Sequence, residues 1–261
     1  MVRLSVMLGA AAMALAVAMP AATGYAKSGK TADVAAAVAA PGRPADQIKL
    51  DEGRQPAKVL AFEGLKSGDQ VADIMAGEGY YTEVMARAVG PKGHVTAYNP
   101  TQFSAGDEKE AAAWAALKAR QPNASLTLYP FESFSAPANA FNFVMIHLDY
   151  HDLYWESAKF KIARTEPAAF LKTLYASMKP GGTVAVIDHV GPAGDTRAIV
   201  DKMHRIDPDV VKADFKAAGF VLDGTSDMLR NPADDHTLGV FNPAIRGKTD
   251  RFVFRFKKPK A

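Results

Sequence analysis

The chain has 261 residues, 48% of them hydrophobic and 23% charged, with a formal net charge of +3 and no cysteine. That length and balance suit one sizeable globular domain, and so small a charge with no dense basic stripe argues against a nucleic-acid partner. The missing cysteines exclude disulfides, thiolate zinc sites, cysteine nucleophiles and a lipid anchor on cysteine.

Residues 1–26, "MVRLSVMLGAAAMALAVAMPAATGYA", read as an export signal. One Arg precedes a short Ala-rich apolar run, Pro20 breaks it, and small residues before Ala26 suit a signal peptidase. The run is short and Ala-rich, which favours a cleaved leader over the alternative of an uncleaved anchor, and no later segment is apolar enough to span a membrane. The expected location is periplasmic or secreted. Residues 27–42, small and polar, read as a flexible linker, and 43–261 as the α/β domain.

Short N-terminal helices are expected over 43–65, with Pro56 at a helix start, where its missing N–H costs little. Val71–Met75 is the first strand. Thr82–Val89 is helical, and His94–Tyr98 is the second strand. "AGDEKEAAAWAALKAR" is a strong helix, Ala-rich with acids early and bases late. "SLTLYP" is a third strand, and Phe141–His147, nearly all apolar, is a fourth of the kind buried on both faces of a parallel sheet. A helix ending at Pro-Gly-Gly leads into the fifth strand, "TVAVIDHV". A helix closed by Gly219 and two last strands, "VLDGTS" and "DRFVFRFKK", complete the chain. The basic end, "RFKKPKA", reads as a solvated tail.

Such alternation predicts an α/β, doubly wound, Rossmann-like sheet of seven strands. It is mostly parallel, with an antiparallel pair at the C-terminal end. Ligands of such sheets lie beyond the carboxyl ends of the strands, so the turns there are where function is sought.

The turn after the first strand, "DIMAGEGYY", carries Asp73, Met75, Gly77 and Gly79. Glycines bend the backbone tightly and let a ligand come close, and the first N–H groups of the following helix favour an anion. A dinucleotide turn wants glycines at positions one, three and six. From Met75 this gives Met, Gly77 and Tyr80, a poor match.

An acid followed by alternate glycines, with "LKSGDQVADI" before it and "LKTLYASMKPGGTVAVID" later, resembles the class I S-adenosylmethionine-dependent methyltransferases over roughly residues 55–256. More narrowly, "EGRQPAKVLAFEGL", "GEGYYTE" and "RNPADDHTLGVFNPAIRGKTDRFVFRFKKP" look like a group of exported, predicted methyltransferases. The resemblance implies S-adenosylmethionine as cofactor, held by Asp73, Met75, Gly77, Gly79 and Asn99. Two positions depart from the pattern. Met75 stands where the first glycine belongs. Asn99 stands where an acid usually grips the ribose hydroxyls, and it lacks the charge that strengthens such bonds.

The resemblance places the acceptor at "HLDYHDLYW", after strand four. His147 or His151 is the expected catalytic base, oriented by Asp149 or Asp152, with Tyr150, Tyr154 and Trp155 walling a small or medium acceptor. The later polar residues include Asp188, His189, His204, Arg205 and Asp207, with an Arg205–Asp207 salt bridge expected. Asp51 and Arg54 are expected as a structural ion pair, the alternative being an Arg that meets a ligand carboxylate. "DDHTLGVFNP" is either a rim over the site or a surface excursion. No compact motif such as His-Glu-x-x-His is present, so no metal ligands are assigned. Two other functions stay open: an inactive exported binding module on this fold, and a metal-dependent hydrolase using the histidines.

Overall fold

The computed structural model describes residues 29–260. The expected leader, and with it the expectation of export, lies outside the described residues. The first described segment carries α1 (Val34–Ala39), capped by the Asp33 side chain on the Ala36 N–H at 3.0 Å. Val34 and Ala37 are buried in the same apolar cluster as Val84 and Ala88. The linker reading of 27–42 is therefore corrected from Val34 to Ala39. The alanines that looked like spacer are small enough to pack a short helix close to its neighbour.

Three helices follow: α2 (Ala45–Ile48), α3 (Asp51–Arg54) and α4 (Pro56–Glu63). Pro56 occupies the first turn of α4, as its sequence position suggests. The sheet then begins with β1 (Gln70–Ile74), α5 (Tyr80–Val89), β2 (His94–Pro100), α6 (Thr101–Ser104), α7 (Glu108–Arg120), β3 (Ala124–Tyr129) and β4 (Phe141–His147). Asp107 caps α7 by accepting from the Glu110 N–H at 2.9 Å.

The second half holds α8 (Pro167–Ser177), β5 (Met178–His189), α9 (Thr196–Met203), α10 (Pro208–Ala217), β6 (Val221–Ser226) and β7 (Arg251–Lys257). The Pro-Gly-Gly segment does not sit in a turn before the fifth strand. It lies within β5, where a register shift against β4 absorbs the extra residues. Helix α9, not anticipated from the sequence, is fixed by Asp195 accepting from the N–H groups of Arg197 and Ala198.

The seven strands lie in the order β3-β2-β1-β4-β5-β7-β6. β7 runs antiparallel to both β5 and β6, and the remaining pairs are parallel. One apolar layer on each side of the sheet buries these strands: Val144, Val184 and Phe254 belong to one, Val71, Met145 and Val253 to the other. The alternation of Phe252, Phe254 and Phe256 toward one face is the period-two pattern of a strand. The basic end is not a solvated tail. Arg255 pairs with Asp223 at 2.6 Å, and Lys258 donates to the carbonyls of Tyr175 and Met178. No helix among the described residues is long and apolar enough to cross a membrane.

Candidate active site

The chain turns sharply after β1. Met75 (φ 54°), Gly77 (φ 54°) and Gly79 (φ 83°) all adopt left-handed backbone. Glycine does so freely, whereas an L side chain costs about 1–2 kcal/mol there. The glycines serve different purposes. A Cβ at Gly79 would lie 2.5 Å from Leu117 Cδ1, so Gly79 lets α7 pack on the turn. A Cβ at Gly77 would meet nothing within 4 Å. Gly77 faces a cavity of about 490 Å³ that also has Arg54, Asp73, Tyr81, His147 and Asp149 in its wall. That volume lies in the range of small-molecule sites.

Met75 does not fill this cavity. Its side chain is buried in the apolar cluster with Tyr98, Tyr129 and Phe134, while the residue forms part of the cavity wall. Asp73, fully enclosed, accepts from Thr82 Oγ1 at 2.6 Å. Burial raises its pKa, against the pull of that hydrogen bond, to about 7.

Asn99 is turned inward. Its Nδ2 donates to the Gly77 carbonyl at 2.9 Å and to Glu110 Oε1 at 2.7 Å. Ser104 donates to the same Glu110 oxygen at 2.6 Å, and Trp114 Nε1 donates to the Gly77 carbonyl at 2.9 Å. So an acid does reach the end of β2, but from α7, eleven residues further on. Sequence reasoning missed Glu110, because the helix that carries it had no marked link to the turn. Three buried polar atoms around this region have no hydrogen-bond partner among the described residues: Gln47 Oε1, Asn99 Oδ1 and His147 Nε2. Gln47 and His147 line the cavity, so polar ligand groups have atoms to meet there.

The N-terminal helices roof this cavity, and they correct the expected Asp51–Arg54 pair. Asp51 instead takes a two-pronged bond from Arg43 at 2.7 and 2.8 Å, and it accepts from Tyr80 Oη at 2.6 Å. Arg54 makes no ion pair among the described residues. Its guanidinium lies 4.4 Å from the Tyr80 ring centroid and lines the cavity. A cation without a carboxylate partner in a ligand cavity suits an anionic ligand group.

A larger cavity of about 1370 Å³ opens on the other side, with His151, Asp152, Trp155, His189, His204 and Phe241 among its walls. The two cavities share Leu50, Arg54, Leu148 and Asp149. The strand-four turn that builds this junction is strained, since Leu148 has φ 66°.

The histidines expected at the strand ends do gather here, in different states. His147 packs against the Tyr81 ring at 4.7 Å, and burial, then Arg54 and Arg251, hold its pKa well below the usual histidine value. It is neutral at pH 7. Its neighbour Asp149 is pushed well above the carboxylate range by burial and by Asp152. His151 donates through Nδ1–H to Asp188 Oδ1 at 2.8 Å, and its backbone N–H donates to Asp188 Oδ2 at 2.9 Å. Burial opposes charging His151, but Asp188 and Asp152 outweigh it and raise the pKa to about 9. His189 meets Thr249 Oγ1 at 2.7 Å. Asp188 therefore orients His151, whereas the sequence suggested Asp149 or Asp152.

Tyr150 and Tyr154 do not wall the acceptor side. Both hydroxyls donate to Asp214 of α10, at 2.8 and 2.5 Å, and only Trp155 of the expected aromatic trio lines the larger cavity. The expected Arg205–Asp207 pair is also corrected. Fully buried Arg205 binds Asp234 through Nη2 at 2.9 and 2.8 Å, and Asp207 caps α10. This anchors the long 227–250 connection, whose Phe241 packs 4.9 Å from His204 at the cavity rim. Of the two readings of "DDHTLGVFNP", the rim fits.

Neither a protein-family model nor a curated protein sequence matches the chain. Solved structures do. A SAM-dependent methyltransferase from Aquifex aeolicus is 21% identical, covers 82% of this chain and 94% of its own, and superposes with a TM-score of 0.56. The chain has the methyltransferase fold. A 1,6-didemethyltoxoflavin-N1-methyltransferase from Burkholderia thailandensis, solved with that compound and S-adenosylhomocysteine, is 15% identical (82% and 80% coverage, TM-score 0.52). The cyclase SpnF is 15% identical over 85% of this chain and 86% of its own, with a TM-score of 0.53. One fold thus hosts different chemistries, and function has to be argued from the site.

Proposed function

We propose that this protein binds S-adenosylmethionine in the smaller cavity and transfers the methyl group to a small or medium acceptor in the larger one. The observation that carries this reading is the meeting of two cavities at Leu50, Arg54, Leu148 and Asp149, with the open Gly77 turn on one side only. Methyl transfer needs two ligands to approach in line through one opening. The cofactor, when bound, supplies an electrophilic methyl on a sulfonium. Arg54 would hold its carboxylate, and Asp73 would face its ammonium group. Asp149, at the junction, is the side chain placed against the acceptor, and it can take the acceptor's proton only in the ionised form, which burial and Asp152 disfavour. Neutral His147 contributes a wall and an acceptor nitrogen on the cofactor side. His151, engaged by Asp188, lies on the acceptor side.

A specific observation favours a second reading, a binding module without transfer. The Asn99 amide nitrogen is taken up by the Gly77 carbonyl and by Glu110 of α7, so β2 itself ends in no acid for a ribose and the acid nearby is bonded to Asn99 and Ser104. Export to the periplasm or beyond is the reading of residues 1–26, supported by their order of Arg, apolar run and small residues.

Calorimetry with S-adenosylmethionine and S-adenosylhomocysteine on the purified mature protein separates these readings. Saturable binding that Arg54→Ala weakens about tenfold or more is expected. No heat and no thermal shift at millimolar ligand would dismiss the cofactor. Tight binding of both compounds, with no methyl released to any acceptor in a broad small-molecule screen, would favour the binding module.

A further inference from the structure

Three side chains in the wall of the larger cavity converge with no hydrogen bond between them. Asp152 Oδ1 lies 3.4 Å from His151 Nε2 and 3.4 Å from His204 Nδ1. All three donor atoms fall within 4.8 Å of each other. Asp152 Oδ1 is buried and has no hydrogen-bond partner among the described residues. An oxygen in that position, at 3.4 Å from two imidazole nitrogens and hydrogen-bonded to neither, leaves room for an ion that all three atoms could ligate.

The spacing has a simple meaning. Ligands about 2.0–2.2 Å from a tetrahedral ion stand about 3.3–3.5 Å from one another. That is the separation found on both sides of Asp152. The surroundings also hold the donors in place. His151 Nδ1 is engaged by Asp188 at 2.8 Å, which leaves Nε2 to face the cluster. A carboxylate behind a ligating histidine is the usual way to fix its tautomer and orientation. His204 ends α9 in left-handed backbone, φ 50°, with its ring between Trp155 at 5.0 Å and Phe241 at 4.9 Å. A non-glycine residue held there by aromatic packing marks a placement that the rest of the structure enforces. Asp188, bonded to His151 through Oδ1, also sets a carboxylate directly behind the cluster.

We propose that His151 Nε2, Asp152 Oδ1 and His204 Nδ1 form a site for one divalent transition-metal ion, zinc in the first place, whose remaining position faces the larger cavity and takes an oxygen-bearing acceptor. Two imidazoles and one carboxylate suit zinc, and three protein ligands with an open position are the arrangement of a reactive site, since structural zinc is closed by four. The ion would draw electron density from an acceptor hydroxyl and lower its pKa, easing loss of the proton as the methyl arrives. Ion binding rests on these three residues alone. The role given to the acceptor rests on the methyl-transfer reading.

The experiment uses the full mature chain, purified without a histidine tag and stripped with a chelator. Zinc chloride is titrated by calorimetry with no S-adenosylmethionine present, and cobalt(II) is added in parallel for its visible ligand-field bands. One zinc per chain and the intense bands of a four-coordinate cobalt site are expected. Asp152→Asn and His204→Ala should each weaken zinc binding at least a hundredfold, and Asp188→Asn, behind His151, about 10–100-fold. His94→Ala, on a histidine paired with Ser125 away from the cavity, should leave it unchanged. The cobalt spectrum of the unaltered chain stands independently of whether any variant folds. Binding below one ion per chain at tens of micromolar free zinc (~10⁻⁵ M, ~7 kcal/mol) would overturn the proposal, as would a titration that Asp152→Asn and His204→Ala leave unaltered. A separate titration of S-adenosylmethionine into the metal-free protein reports on the cofactor reading, so either can fail without the other.

Discussion

Replacing Asn99 by the acid that the resemblance expects should damage the protein. Asn99 is 2% exposed, and both its bonds are to acceptors, the Gly77 carbonyl at 2.9 Å and Glu110 at 2.7 Å. In Asn99→Asp an oxygen replaces the donating nitrogen, so a second carboxylate faces Glu110 at that distance. Two carboxylates so close share one proton, and one of the two pKa values rises to 7 or beyond. Holding that proton at pH 7 against an unfolded pKa near 3.9 costs about 4 kcal/mol. The bond to the Gly77 carbonyl is lost as well, for about 1 kcal/mol more. The folded pKa is the raised one, so stability is fully present below about pH 4 and is lost as the pH rises. Urea unfolding of the variant should therefore show a deficit of about 5 kcal/mol at pH 7, shrinking to about 2–3 kcal/mol at pH 5. Asn99→Asp with Glu110→Gln restores a donor opposite the new acid and should recover most of the deficit. A single variant within about 1 kcal/mol of the parent at both pH values would refute the inward role of Asn99. So would one that binds S-adenosylmethionine more tightly.

Glu63 of α4 is fully buried with neither carboxylate oxygen bonded among the described residues, and burial, opposed by Arg255 and Lys257, pushes its pKa up to about 9. Stability should fall by about 2–4 kcal/mol between pH 5 and pH 8 on this account, and Glu63→Gln should flatten that slope in urea titrations at each pH. Gly79→Ala places a methyl 2.5 Å from Leu117 in left-handed backbone and should lower stability by about 1–3 kcal/mol by thermal unfolding. Gly77→Ala meets no neighbour, so it should cost only about 1 kcal/mol of stability while weakening the cofactor by calorimetry. Met75→Gly relieves backbone strain of about 1–2 kcal/mol but empties a position in the core, at about 2–5 kcal/mol. Its melting temperature should fall, and its affinity for S-adenosylmethionine should not rise.

The strands and the turn could be read from the chain because each announces itself locally. Phe141–His147 is one apolar run, and Asp73 with Gly77 fixes a tight bend wherever it occurs. Residues joined across long separations could not be read this way. Glu110 reaches Asn99 from another helix, and Arg205 meets Asp234 rather than the nearby Asp207. Asp188 and His151 stand 37 residues apart and meet because β4 and β5 are neighbours. The aromatic residues after β4 misled for a related reason. Spacing along the chain does not reveal that Asp214, on a helix behind them, takes two tyrosine hydroxyls and leaves only Trp155 for the cavity. The alanines of α1 misled because small residues suit a loose tether and a tight helix contact equally well.

The position of β7 sets an order of events during synthesis. β6 is made before it, yet its only strand partner among the described residues is β7, which slots between β5 and β6. Arg251, at the start of that final strand, lines the larger cavity and ties back through Nη1 to the Gly53 carbonyl at 2.9 Å. A nascent chain halted before Arg251 thus has neither a closed sheet edge nor a finished cavity. Whatever compartment the protein works in, its site is assembled only after β7 has been made and has left the ribosome. A chain that passes through a membrane before that moment crosses it without a working centre.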